Sequence, residues 1–191
     1  MTASAFGWFL CAIALPVAAA PEGGPERTRL VVEALRAVPA GASMGSSAFA
    51  QVDAFFDFDA FAADCLGASA SKFKPAERAE FQRRMAAIVR GAGYLSGGVS
   101  LRSADITYQE PRSRKGGTLV NISVRFPNED AGATFGFLWG PNGRVVDLEL
   151  DGVSLAADTR NQVARIVAKG GPAELLRRLD QRLRAIATPG R

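Results

Sequence analysis

The spacing of the apolar residues changes twice along this chain, and this change constrains its fold more than any other feature. Before residue 95, apolar positions recur every three to four residues, as at Phe58, Phe61, Ala62, Cys65 and Leu66. Between residues 106 and 150 they recur at every second residue, and after residue 156 the helical spacing returns. A period of 3.6 predicts amphipathic helices, and a period of 2 predicts strands with one buried face. The sequence therefore predicts an α+β domain with helices before and after an antiparallel sheet.

The predicted helices have clear start and stop signals. Asp57 can cap a first helix, and Gly67 suits the position just past its end. Pro75 can open a second helix. Near the C-terminus, we expect one helix over 156–169 and another from Pro172, because two glycines separate them. The apolar stripe of the helix that Pro75 opens consists of Phe81, Met85, Ile88, Ala92 and Leu95.

The middle of the chain predicts about four antiparallel strands with one apolar face. Segments rich in Gly, Pro and Asn at 115–117, 127–130 and 141–143 predict the turns between them. A sheet of this kind that curves around helices leaves an apolar cleft between the two layers. The apolar positions of the strands are Ile106, Tyr108, Val120, Ile122, Val124, Phe126, Phe135, Phe137, Trp139, Val146, Leu148 and Leu150.

The N-terminus predicts export. An uncharged apolar run over 5–15 precedes Pro16 and a group of small residues, which is typical of a secretory signal peptide and too short for a membrane anchor. We expect a signal peptide at 1–19 and a single domain at 20–191. The remainder suits one domain, and the 48% hydrophobic content of the whole chain indicates that it can bury a full core.

Few residues in the sequence could carry out catalysis. The chain has no histidine, so neither a serine triad at Ser154 nor an ordinary zinc site can be assembled. Cys65 lies in an apolar stripe and is expected to be an inert core thiol. Asp147, Glu149 and Asp151 could form an acid/base pair or a cation site, but exposed acids on the solvent side of a strand are the ordinary interpretation. The 23 basic and 19 acidic residues are interleaved, which disfavours nucleic-acid binding. We expect no enzyme activity and no cofactor.

Several segments resemble the MlaC/toluene-tolerance family of periplasmic phospholipid-binding proteins, the auxiliary components of an ABC transporter. The first comprises 145–155 (VVDLELDGVSL), then Arg160 and 170–176 (GGPAELL). The second lies upstream and comprises 56–59 (FDFD), Leu66-Gly67, Pro75, Glu77-Arg78, Phe81 and Tyr94, in the order of the family. Together they cover residues 53–183, most of the chain.

This resemblance implies an NTF2-like curved sheet, with acyl chains held between sheet and helices. It implies a carrier that moves phospholipid between an inner-membrane ABC complex and an outer-membrane lipoprotein complex and so maintains outer-membrane lipid asymmetry. We expect a periplasmic monomer whose cargo is a phospholipid. Arg160 is the candidate for the headgroup, or for an ion pair with Asp147 or Asp151. The candidate acyl-chain contacts are Phe81, Met85, Ile88, Val124, Phe126, Phe135, Phe137, Trp139, Leu148 and Leu150.

Two alternatives remain at the level of sequence. One is a carrier of another amphiphile, such as a hopanoid, or a scaffold in an envelope complex. The other is an NTF2-like enzyme that uses Asp147 or Asp151 as its base.

Overall fold

The computed structural model describes residues 24–43, 45–127 and 132–187, so the predicted signal peptide lies outside the described residues. Its helices flank the sheet in the chain, and the predicted α+β class with a curved antiparallel sheet is confirmed. The helices are α1 (Pro25–Arg36), α2 (Ser47–Asp53), α3 (Phe58–Leu66), a 3₁₀ segment (Gly67–Lys72), α4 (Pro75–Ile88), a π-helical segment (Val89–Tyr94), α5 (Leu95–Arg102) and α6 (Leu155–Ala187).

The sheet is antiparallel, in the order β1-β3-β4-β5-β6. A further short strand, β2, also pairs with β3 beyond the end of β1, so β1 and β2 form one interrupted edge. Pro111 lies in the interruption, where its missing N–H removes no ladder hydrogen bond. The strands are β1 (Asp105–Tyr108), β2 (Arg112–Arg114), β3 (Gly117–Arg125), β4 (Gly132–Trp139), β5 (Val145–Leu150) and β6 (Val153–Ser154).

A β-bulge between β4 and β5 corrects one detail of the predicted apolar face. Leu148 lies opposite Phe137, as the alternation predicts, but the register shifts at Leu138/Trp139. Trp139 therefore pairs with Val145, which is 1% exposed, whereas Val146 is only half-buried. A bulge adds one residue to one strand, and this reverses which side chains face the core.

The predicted helix caps are present. Asp57 accepts a hydrogen bond from the backbone N–H of Ala60 at 2.8 Å, and Gly67 follows α3 with φ of 48°. A Cβ at Gly67 would lie 2.6 Å from the Arg160 side chain, so glycine at this position also allows that arginine to approach closely. Pro75 is at the start of α4.

Two helical regions differ from the simplest prediction. The helix predicted to end near residue 95 continues through the π-helical segment into α5 and ends at Arg102. The predicted break near the C-terminus is present, because Gly171 has φ of 70° and ψ of −177° within α6. Helix α1 begins at Pro25, whereas the sequence predicts a flexible lead-in over 21–27 and a short helix only over 30–38.

The buried side chains form two clusters. The sheet-side core packs α1, α2, the π-helical segment and α5 against the sheet, and its members include Val31, Phe49, Tyr94, Ile122 and Trp139. The helical core packs α3, α4 and α6 together, and its members include Phe61, Cys65, Phe81, Val163 and Leu175. None of the described helices is both long and apolar enough to cross a membrane.

Candidate functional site: an apolar cavity

An apolar cavity of about 330 Å³ lies between the sheet and the helical run that includes the π-helical segment and α5. Its volume is within the range typical of small-molecule sites, about 300–1,000 Å³. The residues that line it are apolar, aromatic or glycine, except for Ser100. The lining residues are Leu35, Phe56, Val89, Ala92, Gly93, Tyr94, Gly97, Ser100, Leu101, Ile122, Phe126, Phe135, Phe137 and Leu148.

The cavity has a closed floor and an open mouth. Ile122 and Phe137 on the sheet and Tyr94 on the helix are buried and form the floor. Among the other lining residues, Gly93 and Ser100 are exposed and Phe135 is half-buried, so the mouth opens between the helical run and the sheet. An amphiphile can place its apolar part on this floor while its polar end remains in water.

Glycine and π-helical geometry create this space. A Cβ built at Gly97 would meet no atom within 4 Å, although Gly97 lines the cavity. Gly93 is nearly as open, with the nearest atom, a methyl carbon of Val89, at 3.9 Å. π-helical turns are rare and are concentrated at functional sites, because one extra residue per turn shifts which side chains face inward.

Apolar surface continues outside the cavity. A second, smaller pocket shares Phe56, Val89 and Leu148 with it. Leu155, which lines this pocket, is 42% exposed, and beyond it at the β5–β6 turn Leu150 is 51% exposed and Val153 61%. Leu150 pairs with Phe135, which lines the cavity, so exposed and cavity-lining surfaces are continuous across the sheet.

A polar network supports the floor from outside. The Tyr94 hydroxyl donates a hydrogen bond to Asp53 at 2.9 Å, and the same carboxylate accepts from Arg90. Burial, followed by the charge of Asp53, raises the pKa of Tyr94. The guanidinium carbon of Arg90 lies 4.4 Å from the centre of the Phe58 ring. The only hydroxyl of the floor therefore points to a partner, and the surface towards the cavity is apolar.

The structure brings together four of the ten residues predicted from the sequence as acyl-chain contacts: Phe126, Phe135, Phe137 and Leu148 line the cavity. Leu150 lies on the adjoining exposed surface. Val124 and Trp139 are buried in the sheet-side core without lining the cavity.

The other three predicted contacts lie on α4. Phe81 and Met85 are buried in the helical core, and Ile88 is half-buried outside the cavity lining. The helical stripe predicted from period 3.6 loses its phase at the π-helical segment, and this segment together with α5 forms the helical wall of the cavity. Val89, Gly93 and Gly97 were missed for this reason, although the glycine-rich stretch 91–98 marks the place in the sequence.

Arg160 does not line the cavity. Its guanidinium forms an ion pair with Asp64 on α3, rather than with Asp147 or Asp151 as expected. Asp64 is separated from Arg160 by 96 residues, and sequence spacing gives no signal for such a pair. Both residues border an open polar cleft that also includes Lys115.

The carboxylates considered as possible bases make structural hydrogen bonds. Asp147 was expected to face solvent, but it is only 6% exposed. It accepts hydrogen bonds from the Ser154 hydroxyl and from the backbone N–H of Ala156 at 2.9 Å, and Ser154 accepts from the N–H of Ala157. The two side chains thus cap α6. Asp151 accepts from the N–H of Thr134 at 2.8 Å.

The turn between Asp147 and this cap explains the Asp-Gly pair in the motif. Asp151 and Gly152 have φ of 50° and 81° and connect β5 directly to β6. Positive φ at both central residues is typical of a tight type I′ hairpin, which favours Asp-Gly. The motif therefore turns the chain so that Ser154 reaches Asp147.

Cys65 is buried in the helical core as expected, with no exposed surface. Burial first, and then the charges of Asp64 and Asp147, raise the pKa of its thiol to about 12. A thiol of this kind is unreactive at neutral pH. Among the described residues, no group of His, Cys, Asp and Glu could hold a metal ion.

Comparisons with known proteins agree with this geometry. Among curated proteins, none matches the sequence significantly. The structure is similar to that of a phospholipid-binding protein from Ralstonia solanacearum in complex with a phospholipid, with a TM-score of 0.68 and 21% sequence identity. The similarity covers 85% of this chain and 97% of that chain, and at this identity it shows a shared fold. The profile of the MlaC family, described as MlaC protein, matches residues 32–181. This match covers well over half of the chain, and the protein belongs to the MlaC family.

Proposed function

We propose that this protein is a periplasmic phospholipid carrier that holds acyl chains in the cavity between the sheet and α5, and that it is not an enzyme. The observation that carries the proposal is a cavity with an apolar floor and an open mouth in a member of the MlaC family. The Ralstonia protein of the same fold, which binds a phospholipid, supports the same cargo.

The physical need for such a cavity follows from the cost of exposing lipid to water. Each buried CH₂ is worth about 0.8 kcal/mol, so two long acyl chains cost on the order of 20 kcal/mol to expose. A dry pocket can match a bilayer but cannot greatly exceed it. Loading and delivery therefore need partners, and we propose an inner-membrane ABC complex and an outer-membrane lipoprotein complex in the maintenance of lipid asymmetry.

The proposed acyl-chain contacts now combine sequence and structure. Phe126, Phe135, Phe137 and Leu148 keep the role expected from the sequence, and Phe56 and Val89 join them because they line both apolar pockets. A signal peptide at 1–19 and a lipid-binding domain over 20–191 complete the proposal. The hydrogen bonds that occupy Asp147 and Asp151 support a binding role, because each carboxylate already caps or braces the backbone.

The direct test is native mass spectrometry of the protein purified from the periplasm, with lipid extraction of the same sample. We expect stoichiometric phospholipid. The matched variant is Gly97→Leu, which fills open space in the cavity and improves helix propensity by up to about 1 kcal/mol. It should fold at least as well as the wild type and carry less than about a tenth of its lipid. A wild-type protein that is empty and takes no lipid from vesicles would refute the proposal.

A further inference from the structure

The α6 elbow is a second concave surface, formed where the helix breaks at Gly171. It encloses about 540 Å³ and is lined from one arm by Arg165, Ile166 and Lys169 and from the other by Glu174 and Arg178. The break at Gly171, with φ of 70°, changes the direction of the chain between the arms. The elbow shares no lining residue with the apolar cavity.

Positive charge is concentrated on this helix. The whole chain has a net charge of +4. Helix α6 alone contains seven basic and three acidic residues, an excess equal to that of the entire chain. The rest of the protein is thus balanced, and any attraction for an anion is centred on α6.

Two of the cations in the elbow are uncompensated. Arg165 and Lys169 are one helical turn apart, with Cβ atoms separated by about 6 Å, and like charges at this spacing repel each other. Within the described parts of the chain, neither makes an ion pair or a side-chain hydrogen bond. Both are exposed at the concave surface, beside the apolar side chain of Ile166.

The single acid of the elbow is already neutralised. Glu174 accepts hydrogen bonds from Arg177 and from Arg178, each at 2.7 Å. These two guanidinium groups hold the pKa of the Glu174 carboxyl at about 2. It therefore orients Arg178 at the rim and does not compensate Arg165 or Lys169.

We propose that the α6 elbow binds a phosphate group. A phosphate offers several acceptor oxygens and one or two negative charges, which match a guanidinium and an ammonium on one wall and a second guanidinium on the other. The phosphate belongs either to a lipid headgroup at a membrane surface or to a soluble phosphate compound. This site goes beyond the carrier function, because the elbow and the lipid cavity are lined by different residues.

The test uses calorimetric titration of the purified protein with inorganic phosphate and pyrophosphate at low ionic strength, and co-sedimentation with phosphatidylglycerol and phosphatidylcholine vesicles. Arg165→Gln combined with Lys169→Gln should weaken binding by at least tenfold, because the loss of one charge-assisted hydrogen bond lowers the affinity by about that factor. Glu174→Gln should tighten it, because it removes the negative charge and frees two arginines. The matched control combines Arg182→Gln with Arg184→Gln, which removes the same charge from exposed positions outside the elbow.

The outcomes separate the sources of the phosphate. If the protein binds soluble phosphates, and if Arg165→Gln combined with Lys169→Gln abolishes this binding, the ligand is a soluble phosphate compound. Co-sedimentation with phosphatidylglycerol alone, with the same dependence on the elbow, supports a lipid headgroup. Equal losses of binding in both double variants, or no binding in either assay, would overturn the proposal. The lipid content of the cavity should be unchanged in every variant, so failure here leaves the carrier function intact.

Discussion

One continuous helical run, from Pro75 to Arg102, serves both cores of the protein, and its two halves do opposite things. The first half places Phe81 and Met85 in the helical core, where they are 0% and 6% exposed. The second half, which begins with the π-helical segment, places Gly93 and Gly97 against the cavity of the sheet-side core. The same helical run therefore fills the helical core with large side chains and leaves a cavity in the sheet-side core, where its inward-facing residues include glycines.

The contrast has a physical consequence. A filled core loses stability when a large side chain is removed, because the hole that remains has lost its contacts. The wall of an existing cavity has fewer contacts to lose, and substitutions there should act on the cargo more than on the fold. Stability and lipid content should thus respond to different residues.

The largest effect on stability is expected in the helical core. Phe81→Ala should lower the free energy of unfolding by about 3–5 kcal/mol, because Phe81 is fully buried and its ring lies 6.2 Å from that of Phe73. Lipid content per folded molecule should be unchanged. Urea denaturation and lipid extraction measure the two quantities.

Phe135→Ala is the comparison variant. Phe135 is a half-buried residue in the cavity wall. Its replacement should therefore cost less than half as much stability as Phe81→Ala and should release more lipid. If Phe81→Ala emptied the cavity while Phe135→Ala left it full, the assignment of the two regions would be wrong.

A smaller and opposite pair of effects is expected at two neighbouring glycines. Gly98→Ala should cost about 1–3 kcal/mol, because its Cβ would lie 2.6 Å from the carbonyl oxygen of Leu35 on α1. Gly97→Ala should be neutral or stabilising by up to about 1 kcal/mol, because its Cβ enters open space. Thermal unfolding of the two variants measures the difference, and equal destabilisation by both would argue against an open cavity at Gly97.

The smallest effect concerns the thiol of the helical core. Because the pKa of Cys65 is raised to about 12 from 9.0, the thiol is protonated at pH 8 and should react with iodoacetamide at least about 100-fold more slowly than in urea. A group with a raised pKa stabilises the fold below pH 9, and this contribution decreases as the pH rises towards 12. Rapid labelling of the native protein at pH 8 would show that the helical core is accessible to the reagent, and it would contradict the contrast between a packed helical core and an open cavity.

Much of the fold could be predicted from local signals. The cap at Asp57, the start at Pro75 and the break at Gly171 depend on neighbouring residues alone, and all are present. The α+β class followed from the change of period. The candidate site was only partly predictable, because the helical wall of the cavity includes a π-helical segment that shifts the phase of the apolar stripe.

The sequence by itself determined the α+β class, the apolar face of β3 and β4, and the membership of the MlaC family, since each depends on residue type and spacing. Only the tertiary structure decided which apolar side chains border empty space. Phe81 and Phe135 look alike in the sequence, but one faces packed helices and the other borders the cavity that Gly97 also lines. The partner of Arg160 was decided in the same way, because Asp64 reaches it only after α3 and α6 pack together. What lies opposite a side chain is a property of the assembled layers, and the local sequence does not contain it.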